Sequence, residues 1–177
     1  MSIEADLRRW SREVLEVPSK HLNGFPPCPH ARKAWLDDQV LVVETDYIYA
    51  ETLGICDVFR DLNKKVVVVA SYAIPDIDAF NSFVEGLNEA YPELHCMQFH
   101  PEFGAEDAEL DFLTDNDWES DIEAPYCMIF IQNLADVVES SDRLEELGYY
   151  KGYPDDEYEE LVVKRKKRLT GASDDPD

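Results

Sequence analysis

The residues best suited to chemistry in this chain are His100 and Glu102, in the run Gln98-Phe99-His100-Pro101-Glu102-Phe103. An apolar stretch ends there in an imidazole and a carboxylate separated by one rigid proline. Histidine changes charge near neutral pH, and a neighbouring carboxylate settles its tautomer or shares a metal with it. His100 is therefore expected as a general base or metal ligand, with Glu102 as its partner. The plainer reading is a strand-end histidine hydrogen-bonded to backbone, with Glu102 in water.

A second pair stands in Phe25-Pro26-Pro27-Cys28-Pro29-His30-Ala31-Arg32. Proline cannot sit inside a helix but suits its first turn, so Pro29 places Cys28 where a helix begins. A thiol there meets unpaired N–H groups and the positive end of the helix dipole, which favour the thiolate. Cys28 reads as a thiolate ligand, a nucleophile or a small buried hydrophobe. Cys28, His30, His100 and Glu102 together make a mixed sulfur, nitrogen and oxygen ligand set suited to zinc or iron. His95 is expected as a satisfied core or surface histidine, and His21 as a loop residue. Asp111, Asp115, Asp117 and Asp121 lack the glycine and final spacing of a calcium loop and read as solvated acids.

These residues need elements to position them. Ser2 opens a helix from residue 3 to about 16, with Ile3, Leu7, Trp10 and Val14 on one side. Val40 to Thr45 and Lys65 to Ala70 read as strands, the second buried on both faces. Leu53, Cys56, Phe59 and Leu62 recur every three residues between them, as a helix crossing between parallel strands does. Ile77, Phe80, Val84, Leu87 and Tyr91 make the next helix, and Leu94 to His100 the third strand. Alternation places Leu94, Cys96, Gln98 and His100 on one face and His95, Met97 and Phe99 on the other. Residues 104 to 124 form a long acidic loop, a lid or a disordered segment. Tyr126 to Ile131 is a fourth strand, and Asn133 caps a helix that stops at Gly148. The expectation is one layered α/β domain over residues 1–150, with a four-stranded, mostly parallel or mixed sheet and flanking helices. A charged C-terminal helix and tail follow over residues 151–177.

Composition narrows the partners. The 177 residues hold 39 Asp and Glu against 16 Lys and Arg, a formal charge of −23. Such a surface repels phosphate backbones and anionic lipid, so no nucleic acid and no membrane partner is expected. The exception is Lys164-Arg165-Lys166-Lys167-Arg168, which reads as a solvated helix end lying against the acidic body, or as a localisation or anion-binding cluster. No apolar run reaches a membrane-spanning length, and the opening residues carry acids where a signal peptide needs cations. Cys28, Cys56, Cys96 and Cys127 are far apart, without a Cys-x-x-Cys, as in a chain with reduced thiols. A cytoplasmic protein is expected.

Two resemblances bear on the site. Leu53-Gly54-Ile55-Cys56 and Gln98-Phe99-His100-Pro101-Glu102 resemble pieces of the class I glutamine amidotransferases, whose Cys, His and Glu form a nucleophilic triad. That likeness implies a Cys-His hydrolase with Cys56 beside His100. In that family, however, glycine follows two residues after a cysteine set on a strand-to-helix elbow. Here Asp57-Val58 follows Cys56 and the spacing is helical, so the match is judged coincidental.

The second covers nearly the whole chain. Cys28-Pro29-His30-Ala31, Phe80-Asn81-Ser82-Phe83, Phe99-His100-Pro101-Glu102-Phe103 and Thr114-Asp115-Asn116-Asp117 before Pro125-Tyr126 resemble an uncharacterised bacterial family with Cys-Pro-x-Ala and Phe-His-Pro-Asp-aromatic motifs. The resemblance implies that Cys28, His100 and Glu102 belong together, without naming a reaction. Trp118, Glu119 and an acidic run replace the family's Thr-Asn-Arg-Ser, so this chain looks like a divergent member lacking a basic contact.

The leading expectation is a metal-dependent or thiol-dependent cleft at the strand ends, built on Cys28, His100 and Glu102 and taking a small-molecule ligand. A non-catalytic acidic adaptor engaging a basic protein partner is the alternative, and a Cys-His hydrolase the third.

Overall fold

The buried run Val67-Val68-Val69-Ala70 has no polar face, so the strand that carries it must lie inside a sheet covered on both sides. A computed structural model of the protein, which describes residues 2–20, 22–102 and 124–171, has this arrangement. Four strands, β1 (Val40–Glu44), β2 (Val66–Ser71), β3 (Leu94–Phe99) and β4 (Cys127–Asn133), lie in the order β1-β2-β4-β3. β1 and β2 are parallel, whereas β4 is antiparallel to both β2 and β3. The sheet is therefore mixed. β4 takes the place between β2 and β3, and the first three strands all point the same way.

Helices α1 (Ile3–Trp10, running on as a π-helical turn, Ser11–Leu15) and α2 (Ala31–Leu36) precede β1. Helix α3 (Ile48–Val58) joins β1 to β2, and α4 (Ile77–Ala90) joins β2 to β3. Helix α5 (Leu134–Glu146) follows β4. The C-terminal segment comprises α6 (Asp155–Tyr158), a π-helical turn (Glu159–Val163) and α7 (Lys164–Thr170).

Side-chain alternation divides the interior into two layers. Val67, Val69, Cys96, Cys127, Ile129 and Ile131 face Cys56, Phe80, Val84 and Leu87 of α3 and α4. Val68, Ala70, Met128, Phe99 and Phe130 face Ile3, Leu7, Trp10 and Leu15. Each buried leucine, isoleucine or phenylalanine contributes about 1.5–3 kcal/mol of transfer free energy.

Local chemistry sets the boundaries. Ser2, Asp76 and Asn133 cap α1, α4 and α5, each accepting backbone N–H groups. Gly148 ends α5 with a φ of 84°, a conformation that glycine adopts without a Cβ clash. The C-terminal segment docks on the body. Lys166 pairs with Asp142 and Glu145, and Arg168 Nη2 donates to the carbonyls of Asn88 at 3.0 Å and Leu94 at 2.9 Å. The basic cluster thus lies against acidic helix α5 and the start of β3. No helix among the described residues is long and apolar enough to cross a membrane.

Candidate functional site

Because β1, β2 and β3 are co-directional, their carboxyl ends open on one edge of the sheet, where ligands of open α/β sheets bind. Four segments meet there: Thr45-Asp46-Tyr47, Tyr72 to Asp76, His100 to Glu102, and Ala124 to Tyr126. Short turns shape them, with Thr45 Oγ1 accepting the Tyr47 N–H at 2.9 Å and Ser71 Oγ that of Ala73 at 3.1 Å.

His100 is the buried centre of this edge, with 1% of its surface exposed. Its ring packs on Phe80 with centroids 5.7 Å apart. The backbone N–H of Glu102 donates to Nδ1 at 3.1 Å, so Nδ1 carries a lone pair. Nε2 lies 2.9 Å from the Pro75 carbonyl, which only accepts, so Nε2 carries the proton. Glu102 does settle the tautomer, but through its amide, and its side chain is exposed to solvent. Both ring nitrogens are committed to backbone groups, which favours a structural tie over a base or metal ligand aimed at solvent.

Cys28 and His30 are elsewhere. Cys28 is half-buried in the layer with Leu15 and Ala31, on the face of the sheet away from the His100 ring. It does precede a helix, but burial outweighs the hydrogen bonds from the His30 and Ala31 amides, and its thiol is pushed above the usual range. His30 is exposed at the surface, with its pKa lowered by partial burial and by Arg143 and Lys65. The expected zinc or iron ligand set is not assembled. Among the described residues no group of three or more His, Cys, Asp or Glu converges as metal ligands would. The physical reason is sheet geometry, since one strand layer separates the sulfur from the imidazole.

Cys56 is buried in the α3–α4 layer and its thiol is paired with that of Cys96. Burial and the charge of Glu102 raise the Cys127 thiol to about 11. All four cysteines are free. The expected lid, residues 104–124, and the acids Asp111, Asp115, Asp117 and Asp121 lie outside the described residues except for Ala124.

What the edge presents to solvent is different from the expected cleft. Tyr47 is 78% exposed, Tyr72 55% and Ile74 58%, and around them Glu44, Asp46, Asp76, Asp78 and Glu102 are exposed acids. Tyr72 stands edge-on to Tyr126 at 5.3 Å, and the Tyr126 hydroxyl donates to Asp6 at 2.8 Å. Burial and that carboxylate push Tyr126 up to about 12. No Lys or Arg occurs between Val66 and Asp142, nor between Glu44 and Phe59. The signal for this surface is legible in the sequence as that cation-free span with Tyr47, Tyr72 and Ile74 just beyond strand ends.

No protein-family model matches the chain, and no curated protein and no solved structure matches it either.

Proposed function

We propose that this protein is a non-catalytic acidic binding module whose strand-end edge engages a Lys- and Arg-rich segment of a basic protein partner. The carrying observation is the pairing of exposed Tyr47 and Tyr72 with exposed Asp46, Asp76 and Glu102 on an edge whose flanking segments hold no cation. Tyrosine faces attract guanidinium and ammonium groups, contributing about 0.5–1 kcal/mol each at exposed sites. The surrounding carboxylates steer such a partner and hold it through charge complementarity, which salt weakens. A formal charge of −23 adds a long-range attraction for a basic partner.

The cleft reading built on Cys28, His100 and Glu102 draws less support, because the histidine's nitrogens are committed to backbone and the thiol is raised rather than activated. The two are separated by titrating the purified protein with an arginine-rich peptide and a lysine-rich peptide at two salt concentrations, alongside metal analysis. Saturable binding that weakens with salt and with Tyr72→Ala supports the module. Stoichiometric zinc or iron, lost in a folded His100→Ala variant, would favour the cleft.

A further inference from the structure

His95 is the one residue among those described whose buried side-chain nitrogens have no hydrogen-bond partner. It is 8% exposed, and neither Nδ1 nor Nε2 is bonded. It stands second in β3, opposite the uncharged Gln132 of β4, with its ring on the face away from Leu94 and Cys96. Arg168, through its bonds to the Asn88 and Leu94 carbonyls, holds α7 at this end of the strand.

Arg165 lies one helical turn before Arg168, on the same side of α7. It is half-buried near Tyr150 and Tyr153 and makes no hydrogen bond or ion pair with any described residue. Its neighbours are all satisfied, Lys164 by Glu160, Lys166 by Asp142 and Glu145, and Lys167 by Glu159. In a chain with 39 acids, it is unusual that a buried imidazole has no hydrogen-bond partner and that the nearby charges acting on it are two guanidiniums. Most buried polar groups in native proteins have partners, and a bound ion or water is one of the ways an orphan is satisfied.

We propose that His95, Arg165 and Arg168 form a binding site for a phosphate-type oxyanion, either free inorganic phosphate or the terminal phosphate of a small metabolite. The Arg165 fork matches two oxygens of such a group. The neutral His95 ring, with no partner for its N–H, has a donor left for a third oxygen, and a tetrahedral anion has one to offer. Arg168, with one nitrogen committed to carbonyls, adds charge and its remaining N–H groups. The site lies at the amino end of β3, opposite in position and in sign to the acidic edge, and stands independently of the function proposed above.

The occupied site has its own signature. Burial together with the charges of Arg165 and Arg168, the charged groups that face the ring, holds His95 down to about 3. A bound anion offsets that field, so the ring accepts a second proton at higher pH.

The test is calorimetry and histidine-ring NMR of the full chain with sodium phosphate, against sodium chloride at matched ionic strength, repeated with glycerol 3-phosphate. Saturable binding at one site is expected, with the His95 titration moved up by about one pH unit or more. Arg165→Met should weaken binding roughly tenfold, with Arg165→Lys recovering part of it. Tighter binding of glycerol 3-phosphate supports the site with an organic phosphate as ligand, and equal binding supports it with the free anion. Arg165 is partly exposed, so its variants test the site even where a His95 variant fails to fold. No saturable binding of either probe overturns the proposal. So does binding that Arg165→Met leaves unchanged and that leaves the His95 resonances unmoved, the behaviour of an adventitious ion only.

Discussion

The imidazole of His100 ties the end of β3 to the loop after β2, its Nε2–H donating to the Pro75 carbonyl across 2.9 Å. The same ring accepts the Glu102 amide and packs on Phe80. Replacing it with alanine leaves a partly buried carbonyl unpaired and a hole beside Phe80. His100→Ala should therefore destabilise the fold by about 3 kcal/mol, read as a lower urea midpoint. His100→Gln, which keeps a donor in reach of Pro75, should lose less. A His100→Ala variant of unchanged stability would contradict the structural tie.

The exposed aromatic residues should behave in the opposite way. Tyr47 and Tyr72 stand largely in solvent, so Tyr47→Ala and Tyr72→Ala should each shift stability by no more than about 0.5 kcal/mol. Each should nevertheless weaken an arginine-rich peptide by roughly threefold, the loss of one exposed cation–π contact. Titration and thermal denaturation on the same variants separate the two effects.

Thiol chemistry provides a third check. Burial raises the Cys28 thiol, and Cys56, Cys96 and Cys127 are buried. Native protein at pH 7.5 should react with a thiol reagent roughly tenfold or more slowly than free cysteine, and fully once denatured. Fast native labelling of Cys28 would restore its reading as a nucleophile.

Acid should weaken the fold through His95. Its pKa is about 3 in the folded chain against an ordinary value of 6.5, so between those limits the unfolded chain binds the extra proton. This contribution is complete above about pH 6.5 and is lost as pH falls toward 3, by up to about 1.4 kcal/mol per pH unit for the one proton. In phosphate-free buffer, His95→Leu should lose less stability than the parent between pH 7 and pH 5. At pH 7 it should also gain about 1–3 kcal/mol by removing an unpaired buried polar group. Denaturant titrations at the two pH values measure both effects.

Arg168 fastens the C-terminal helix by two bonds to the carbonyls of Asn88 and Leu94. Arg168→Ala should cost about 2 kcal/mol, because charge-assisted bonds to partly buried carbonyls are lost. Lys166→Ala, which removes exposed ion pairs to Asp142 and Glu145, should cost no more than about 1 kcal/mol. Hydrogen exchange in α7 should report the difference directly.

Much of the scaffold was legible because it depends on neighbours in the chain. Asn133 caps α5 through its own side chain, Gly148 ends it with a positive φ, and the run at Val66 to Ala70 requires a doubly covered strand. The alternation that puts His100 with Leu94 and Cys96 is a property of one strand. The site was less legible. Cys28 and His100 carry suggestive chemistry, but nothing local says that a sheet stands between them, and nothing near His95 says that its nitrogens find no partner.

By itself, then, the amino-acid order determined the layered α/β class, the succession of helices and strands, the acidic charge and the position of His100 at a strand end. These follow from periodicity, capping and composition, which act over a few residues. Only the tertiary structure decided that β4 inserts antiparallel between β2 and β3, that the Pro75 carbonyl claims the His100 ring, and that Arg168 fastens on the Leu94 carbonyl, next to a His95 ring left without a partner. Those pairings join residues distant in the chain, and they are selected by which buried faces and unpaired polar groups satisfy one another when the whole chain closes.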